Sequence, residues 1–357
     1  MSPPPFSFLD PLGPVLLLQG EGIDDETVAS DPVFVGVDTD PVREGISLSP
    51  ACRAATSNVR SFSAYADDII GMKRQEEAVQ NAATILAAND VACFQETRFN
   101  TNEGADGMGF LQRIGVGCVP FYSNKVGGVA GVATVVSCSF AAKHSITKVR
   151  LPASLDGHAL ALRFVPIDSL APAFLVVNCY LSSEGYVARG NHISALMGIP
   201  VSLYSFFLGD WNFVLSEEDT TSRYVPPPGP FLLKWHAFID RFSLKEISQP
   251  LHTWYRVAAD HARSVSKRLD RIYVSHSETD LALNPPVVCY CSVPHSLLAR
   301  ETGPHVESSG GVVEGCDSTV LKSSSSDHIP VGISFGCPRG KGSPHIPRWM
   351  VEDALFG

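Results

Sequence analysis

The run Tyr204-Ser205-Phe206-Phe207-Leu208-Gly209-Asp210-Trp211-Asn212 sets an apolar stretch against an abrupt polar end. A short apolar run bounded by turn-forming residues predicts a buried strand, here Tyr204 to Leu208. Gly, Asp and Asn are ordinary turn formers. A tryptophan between Asp210 and Asn212 argues for a site rather than a plain reversal. The same grammar recurs on both sides. Val91-Ala92-Cys93-Phe94 runs into Gln95-Glu96-Thr97, and Val176-Val177 into Asn178-Cys179-Tyr180. Arg268-Leu269-Asp270-Arg271 opens a strand over Arg271 to Val274, and Ser326-Asp327-His328 precedes one over Pro330 to Phe335. Strands of one sheet can bring such ends to a common edge, where α/β proteins build binding and catalytic sites.

Further strands are predicted over Val129 to Cys138, Ala159 to Val165, Phe174 to Tyr180 and Val287 to Tyr290. Between them, Val79, Ala82, Ala83 and Leu86 recur at helical spacing and predict a helix over Ala64 to Asn89. Helices are also read over Asn191 to Met197 and Phe231 to Ile239. The pattern describes a strand-rich, mixed α/β domain over residues 51–336, without an internal repeat. Residues 1–50, with clustered prolines and acids, read as a mostly irregular extension in which Val33 to Val37 is a short strand; residues 337–357 read as a tail.

With 45% hydrophobic and 18% charged residues over 357 positions, the composition is globular rather than disordered or collagenous. No apolar run approaches the roughly 18–20 residues that span a bilayer. Val15-Leu16-Leu17-Leu18 is too short for a signal core and has no basic residue before it. The expectation is an intracellular chain of the nucleus or cytoplasm, neither secreted nor membrane-bound. Its nine cysteines are odd in number and scattered, with no CxxC pair, which predicts buried reduced thiols rather than disulfides or a zinc site.

The formal charge of −10 at first opposes a polyanionic partner, which binds through Lys and Arg. Residues 1–50, however, hold nine acids and one base, while residues 51–357 hold 28 acids and 26 bases. The domain is therefore nearly neutral, and the extension is expected to compete with a polyanion for its basic residues.

In Asn58-Val59-Arg60, Gln95-Glu96-Thr97, Asn178-Cys179-Tyr180, Gly209-Asp210-Trp211-Asn212, Arg268-Leu269-Asp270-Arg271 and Ser326-Asp327-His328, taken in this order, the chain resembles the endonuclease/exonuclease/phosphatase superfamily of metal-dependent phosphoesterases. The resemblance implies a four-layer α/β sandwich, two packed mixed β-sheets flanked by helices. It implies Mg²⁺ or Mn²⁺ as cofactor, with Glu96 the principal ligand assisted by Asn58 and Asp327. Asp210 would orient or deprotonate the attacking water, and Asn212 would hold that water or a phosphate oxygen. His328 would contact the phosphoryl group, its tautomer fixed by Asp270, and Tyr180 would stabilise the phosphate and leaving oxygen. Asn178, Arg268, Arg271 and Trp254 are the expected substrate contacts, Trp254 lying among Arg256, Arg263, Lys267, Arg268 and Arg271. Relatives follow the tyrosine with proline and asparagine, whereas Leu181-Ser182-Ser183 follows here. Arg60 stands where some repair-type relatives carry an acid, which implies one metal at a time.

Two stretches, Arg268 to Ser275 and Pro344 to Val351, look like the endonuclease domain of LINE-type retrotransposons and the segment joining it to a reverse transcriptase. This branch implies a DNA endonuclease leaving a 3′-hydroxyl and a 5′-phosphate, with a reverse transcriptase in the parent element. A phosphatase or phosphodiesterase acting on phosphoinositides or other small phosphoesters, and an inactive relic with the same fold, stay open beside it. Oligomeric state is not legible. Tyr65-Ala66-Asp67-Asp68 mimics a polymerase motif, but its aspartates fit the start of the helix, where they complement its dipole.

Overall fold

In a computed structural model the chain divides into two units, Met1–Ile46 and Ser47–Gly357. The structure describes residues 51–59, 69–99, 117–125, 130–167, 171–256, 265–283, 285–290, 298–299, 322–323 and 327–335, all in the second unit. The expected strand at Val33 to Val37, the polymerase-like Tyr65 to Asp68, Arg263 and the tail 337–357 lie outside the described residues, as does the proposed competition by the extension.

Two six-stranded sheets form the domain. The first has the order β13 (Val287–Tyr290), β16 (Val331–Phe335), β1 (Cys52–Asn58), β2 (Val91–Gln95), β4 (Val132–Ser137), β3 (Cys118–Ser123). The second runs β5 (His144–Val149), β6 (Ala159–Pro166), β7 (Phe174–Tyr180), β8 (Tyr204–Asp210), β12 (Asp270–Val274), β9 (Lys245–Glu246). Each sheet is built round one parallel pair, β1 with β2 and β7 with β8, flanked by antiparallel neighbours. A helix joins the strands of each pair, Ile69–Ala88 in the first and Tyr186–Leu196 in the second. Parallel strands need such a crossover, because their ends lie at opposite edges.

Alternation along the strands divides the apolar residues between layers. Val91, Cys93 and Ile333 face Val176, Phe206, Leu208 and Ile272 of the other sheet, whereas Ala92 and Phe94 turn outward beneath Val79, Ala82, Ile85 and Leu86 of the first helix. On the far side, Val177, Phe207 and Tyr273 pack under Ile193 and Leu196 and under Phe231, Trp235, Phe238 and Phe242 of helix Gly229–Phe242. The fold is a helix–sheet–sheet–helix sandwich, as expected. Strands buried on both faces carry continuous apolar runs, which is why β2, β7 and β8 stand out in the sequence.

Differences from the sequence reading are local. The second helix begins at Tyr186 rather than Asn191, and helix Gly229–Phe242 extends past both expected ends. The strand expected to reach Cys138 stops at Ser137, whose hydroxyl caps a short helix, Cys138–Ala141. Strands β1, β3, β5 and β9, the ribbon of β10 (Trp254–Arg256) with β11 (Val265–Lys267) and the short pair of β14 (Leu298–Ala299) with β15 (Lys322–Ser323) had no predicted counterpart. Of the described cysteines, Cys52, Cys93 and Cys179 are buried as expected, Cys118 and Cys289 are half-buried, and at Cys138, which is exposed, the expectation of a buried thiol is corrected. Among the described residues no helix is long and apolar enough to cross a membrane.

Candidate active site

The carboxyl ends of both parallel pairs meet at one edge of the sandwich, where β1 ends at Asn58, β2 at Gln95, β7 at Tyr180 and β8 at Asp210. Antiparallel neighbours bring their starts to the same edge. Asp270 opens β12 directly opposite Asp210, and His328 lies just before β16 in an isolated bridge with Trp254. This topology converts motifs 270 positions apart in the chain into one cluster.

Two hydrogen-bonded groups make up the cluster. In the first, Glu96 follows β2 in the left-handed region (φ 54°), a conformation costly for a side chain other than glycine. Its Oε1 accepts from Asn58 Nδ2 at 3.0 Å and from the Tyr180 hydroxyl at 3.0 Å, while Oε2 accepts from Arg98 at 2.8 Å. Burial penalises the Glu96 carboxylate, but the donors Asn58, Arg98 and Tyr180 outweigh it and hold the group below its ordinary value. The Tyr180 phenol is pushed up by burial and by the Glu96 and Asp210 carboxylates, so it stays a donor.

In the second group His328 Nδ1 donates to Asp270 Oδ2 at 2.7 Å, which leaves Nε2 facing Asp210 and Asp327, each at 3.9 Å. Burial works against a charged imidazole here, yet the Asp270, Asp210 and Asp327 carboxylates win and raise His328 to about 10. Asp210 is buried and raised to about 7, chiefly by loss of solvent and by the Asp270 and Glu96 carboxylates. Asn58 joins the two groups, donating from the same nitrogen to Asp210 Oδ2 at 2.9 Å. Asn212, also left-handed at φ 54°, gives its backbone N–H to Asp210 Oδ1 and its side-chain N–H to the Leu181 carbonyl. Asp327 Oδ2 takes the Trp254 indole N–H at 2.9 Å.

Nine of the twelve expected residues therefore gather here, and three are corrected. Asn178 is fully buried between the sheets, accepting from Gln95 at 2.7 Å and donating to the Ala133 carbonyl at 2.9 Å. It ties one sheet to the other and does not face a substrate. Arg271 is also buried, its guanidinium on Asp219 at 2.5 Å and on Glu246 at 3.1 Å. Arg268 turns inward to the same Asp219 and to the Gln249 carbonyl. Both arginines brace the start of β12 rather than meeting phosphates. Trp254 is half-buried, with Lys267 Nζ 5.5 Å from its ring centre.

Three contributors had no place in the sequence reading. Arg98 lies two residues beyond Glu96, so extending that motif by one position would have included it. His158 stacks on the Tyr180 ring. Thr253 is buried; its hydroxyl accepts the backbone N–H of Leu269 and Asp270, and its carbonyl accepts that of Ile329. It thus fixes the backbone on both sides of the Asp270–His328 pair, and no spacing in the sequence signals this.

The donors around Glu96, Asn58 and Asp210 are oxygen and amide groups without a thiolate. Among the described residues no three His, Cys, Asp or Glu side chains close into a cage. That chemistry fits a hard divalent cation that keeps several waters, and does not fit structural zinc.

The family described as "Endonuclease/Exonuclease/phosphatase family" matches residues 55–328. Among solved structures, an AP endonuclease from Leishmania major is 16% identical with a TM-score of 0.53, covering 81% of this chain and 88% of its own. TDP2 from Caenorhabditis elegans, in truncated form, is 16% identical with a TM-score of 0.45, covering 81% and 99%. A humanized D. rerio TDP2 with 14 mutations is 12% identical with a TM-score of 0.45, covering 80% and 99%. No curated protein matches the sequence.

Proposed function

Because the chain belongs to the endonuclease/exonuclease/phosphatase family, whose enzymes are hydrolases acting on phosphodiester bonds, we propose that it is a metal-dependent DNA endonuclease that leaves a 3′-hydroxyl and a 5′-phosphate. The observation that carries this reading is the meeting, through Asn58, of the Glu96 and the Asp210–His328–Asp270 assemblies. The likeness of Arg268 to Ser275 and of Pro344 to Val351 to retroelement segments supports placing it with LINE-type endonucleases, beside a reverse transcriptase in the parent element.

Glu96 and Asn58, with Asp327 as a further ligand, would hold Mg²⁺ or Mn²⁺, which when bound neutralises charge on the phosphorus oxygens. Asp210 accepts a proton from the attacking water, and its raised pKa suits a base working near neutrality. The Asn212 N–H on Oδ1 aims that carboxylate. His328 donates from Nε2 to the phosphoryl oxygen, with Asp270 fixing the tautomer and supporting the cation. Tyr180, whose hydroxyl donates to Glu96 in the structure, would turn that one O–H to the phosphate when substrate binds, and Trp254 with Lys267 offers a contact to the strand beyond.

Supercoiled plasmid incubated with Mg²⁺ should be nicked, and EDTA, Glu96→Ala or His328→Ala should abolish nicking. Phosphate release from inositol phosphates without nicking would replace this reading by the small-phosphoester one. Wild-type protein no more active than the two variants, with Mg²⁺ or Mn²⁺, would mark an inactive relic.

A further inference from the structure

Beside the candidate centre lies an open cleft of about 370 Å³, lined by Asn124, Lys125, Ser154, Asp156, His158 and His192. It is one aromatic ring away from Glu96. Tyr180 donates its hydroxyl to Glu96, and the His158 ring stacks parallel to that of Tyr180, 5.7 Å between centres. His158 Nδ1 donates to the Tyr180 carbonyl at 3.0 Å, and the His192 ring continues the column 4.2 Å further on.

The backbone that carries the cleft is tied to the backbone that carries Glu96. Thr97 N–H donates to the Gly131 carbonyl at 3.1 Å, Gly131 N–H to the Gly157 carbonyl at 3.0 Å, and Gly157 N–H to the Ser123 hydroxyl at 3.1 Å. Gly157 sits at φ 71°, and a side chain there would collide with the backbone of Lys125 at 2.9 Å. Only glycine lets the Lys125 strand end approach this closely.

Two polar atoms at the cleft, Asn124 Oδ1 and His192 Nδ1, are buried without a partner among the described residues. Burying such atoms unpaired is costly, so they point to a ligand with both hydrogen-bond donors and acceptors. A metal ion does not fit, because no group of three ligating side chains converges among the described residues and Lys125 lies in the lining. Burial and Lys125 keep both imidazoles below their ordinary value, so the resident charges are the Lys125 ammonium and the Asp156 carboxylate. An ammonium, two imidazoles, a hydroxyl and an amide suit one nucleotide unit. Its phosphate would meet Lys125 and His192, and an amine of its base would meet Asn124.

We propose that the Asn124–Lys125–His158–His192 cleft binds a nucleotide of the DNA strand next to the phosphate held at the candidate centre. This rests on the nuclease reading and specifies where the strand continues.

Binding of a labelled DNA duplex to the full chain, followed by fluorescence anisotropy in EDTA, tests the proposal without turnover. Lys125→Ala and His192→Ala should each weaken binding about fivefold to tenfold, and Lys125→Ala should lower the salt slope by about 1. Lys143→Ala, which removes an equal charge from the exposed turn before β5, should stay within about twofold of wild type. With Mg²⁺, kcat/KM should fall at least fivefold further for DNA than for bis(p-nitrophenyl) phosphate, too small to reach the cleft. Equal losses for Lys125→Ala and Lys143→Ala, no loss for either cleft variant, or no DNA binding by wild type would overturn the proposal. Plasmid nicking with no dependence on the cleft would leave the nuclease reading standing alone. Cleft-dependent binding without nicking would do the reverse.

Discussion

At the scale of single residues, the candidate centre is organised by what each polar atom is bonded to. Asp270 has one oxygen committed to His328, while Oδ1 is buried without a partner among the described residues. An uncompensated carboxylate oxygen in that position strengthens the hold on the imidazolium that His328 carries near neutrality. Asp270→Asn keeps the shape but can offer its amide N–H to Nδ1, which fixes the opposite tautomer and removes the supporting charge. It should lower kcat by about 10²–10⁴-fold with little change in KM, judging from the general size of acid–base and orienting-carboxylate effects. Steady-state kinetics on a short DNA duplex would show this, and an unchanged kcat would remove Asp270 from the chemistry. The left-handed backbone at Glu96, Arg98 and Asn212 is a second residue-scale feature. Three side chains held in a sparsely populated conformation within one cluster are the pattern of strain retained where geometry is needed.

At the scale of elements, the parallel pair β7–β8 carries both Tyr180 and Asp210, and its closeness depends on Gly209. This residue pairs with Cys179 at φ 156°, and a Cβ there would fall on the Cys179 carbonyl oxygen. Gly209→Ala must push the strands apart immediately before Asp210. A cost above about 3 kcal/mol is expected, measured as a lowered urea midpoint. A variant as stable as wild type would show that the strands can shift freely here. Legibility in the sequence followed the same elements. β2, β7 and β8 were readable because doubly buried strands are apolar throughout and their polar ends interrupt a clear run. β1 was not, since Ala54-Ala55-Thr56-Ser57 fills its buried positions with small and hydroxyl-bearing side chains. The edge strand β5 alternates half-buried and exposed residues and offers no apolar run. Arg268 and Arg271 looked like phosphate contacts because bases clustered around them; their partner Asp219 lies about fifty positions upstream, on a turn whose approach only the tertiary fold supplies. Glu96, Asp210, Asp270 and His328 were readable as a set because each interrupts an apolar strand at the same end.

At the scale of the whole molecule, the sandwich carries a histidine at each end of its inter-sheet core, in opposite settings. His328 stands among carboxylates at the site end. His276 follows β12 at the other end and packs against Tyr204 and Phe206 of one sheet and Phe335 of the other, the last with ring centres 4.3 Å apart. It is 1% exposed, and neither ring nitrogen has a partner among the described residues. Burial depresses its pKa to about 4, with Asp280 opposing weakly. A depressed histidine is neutral in the folded state but takes up a proton once unfolded, near its ordinary value of about 6.5. Its contribution is therefore fully present above pH 6.5 and is lost as pH falls from there toward 4, because only the unfolded chain gains the proton in that window. The loss between pH 7.5 and pH 5 amounts to about 2 kcal/mol by linkage. His276→Phe keeps an aromatic ring between the sheets and removes the two unpaired nitrogens. Urea unfolding at the two pH values should show wild type weakened at pH 5 by that amount more than the variant. The variant should also be at least as stable as wild type at pH 7.5, since an apolar ring replaces polar atoms buried unpaired. Equal pH dependence in both proteins would mean that the acid sensitivity of the sandwich arises elsewhere.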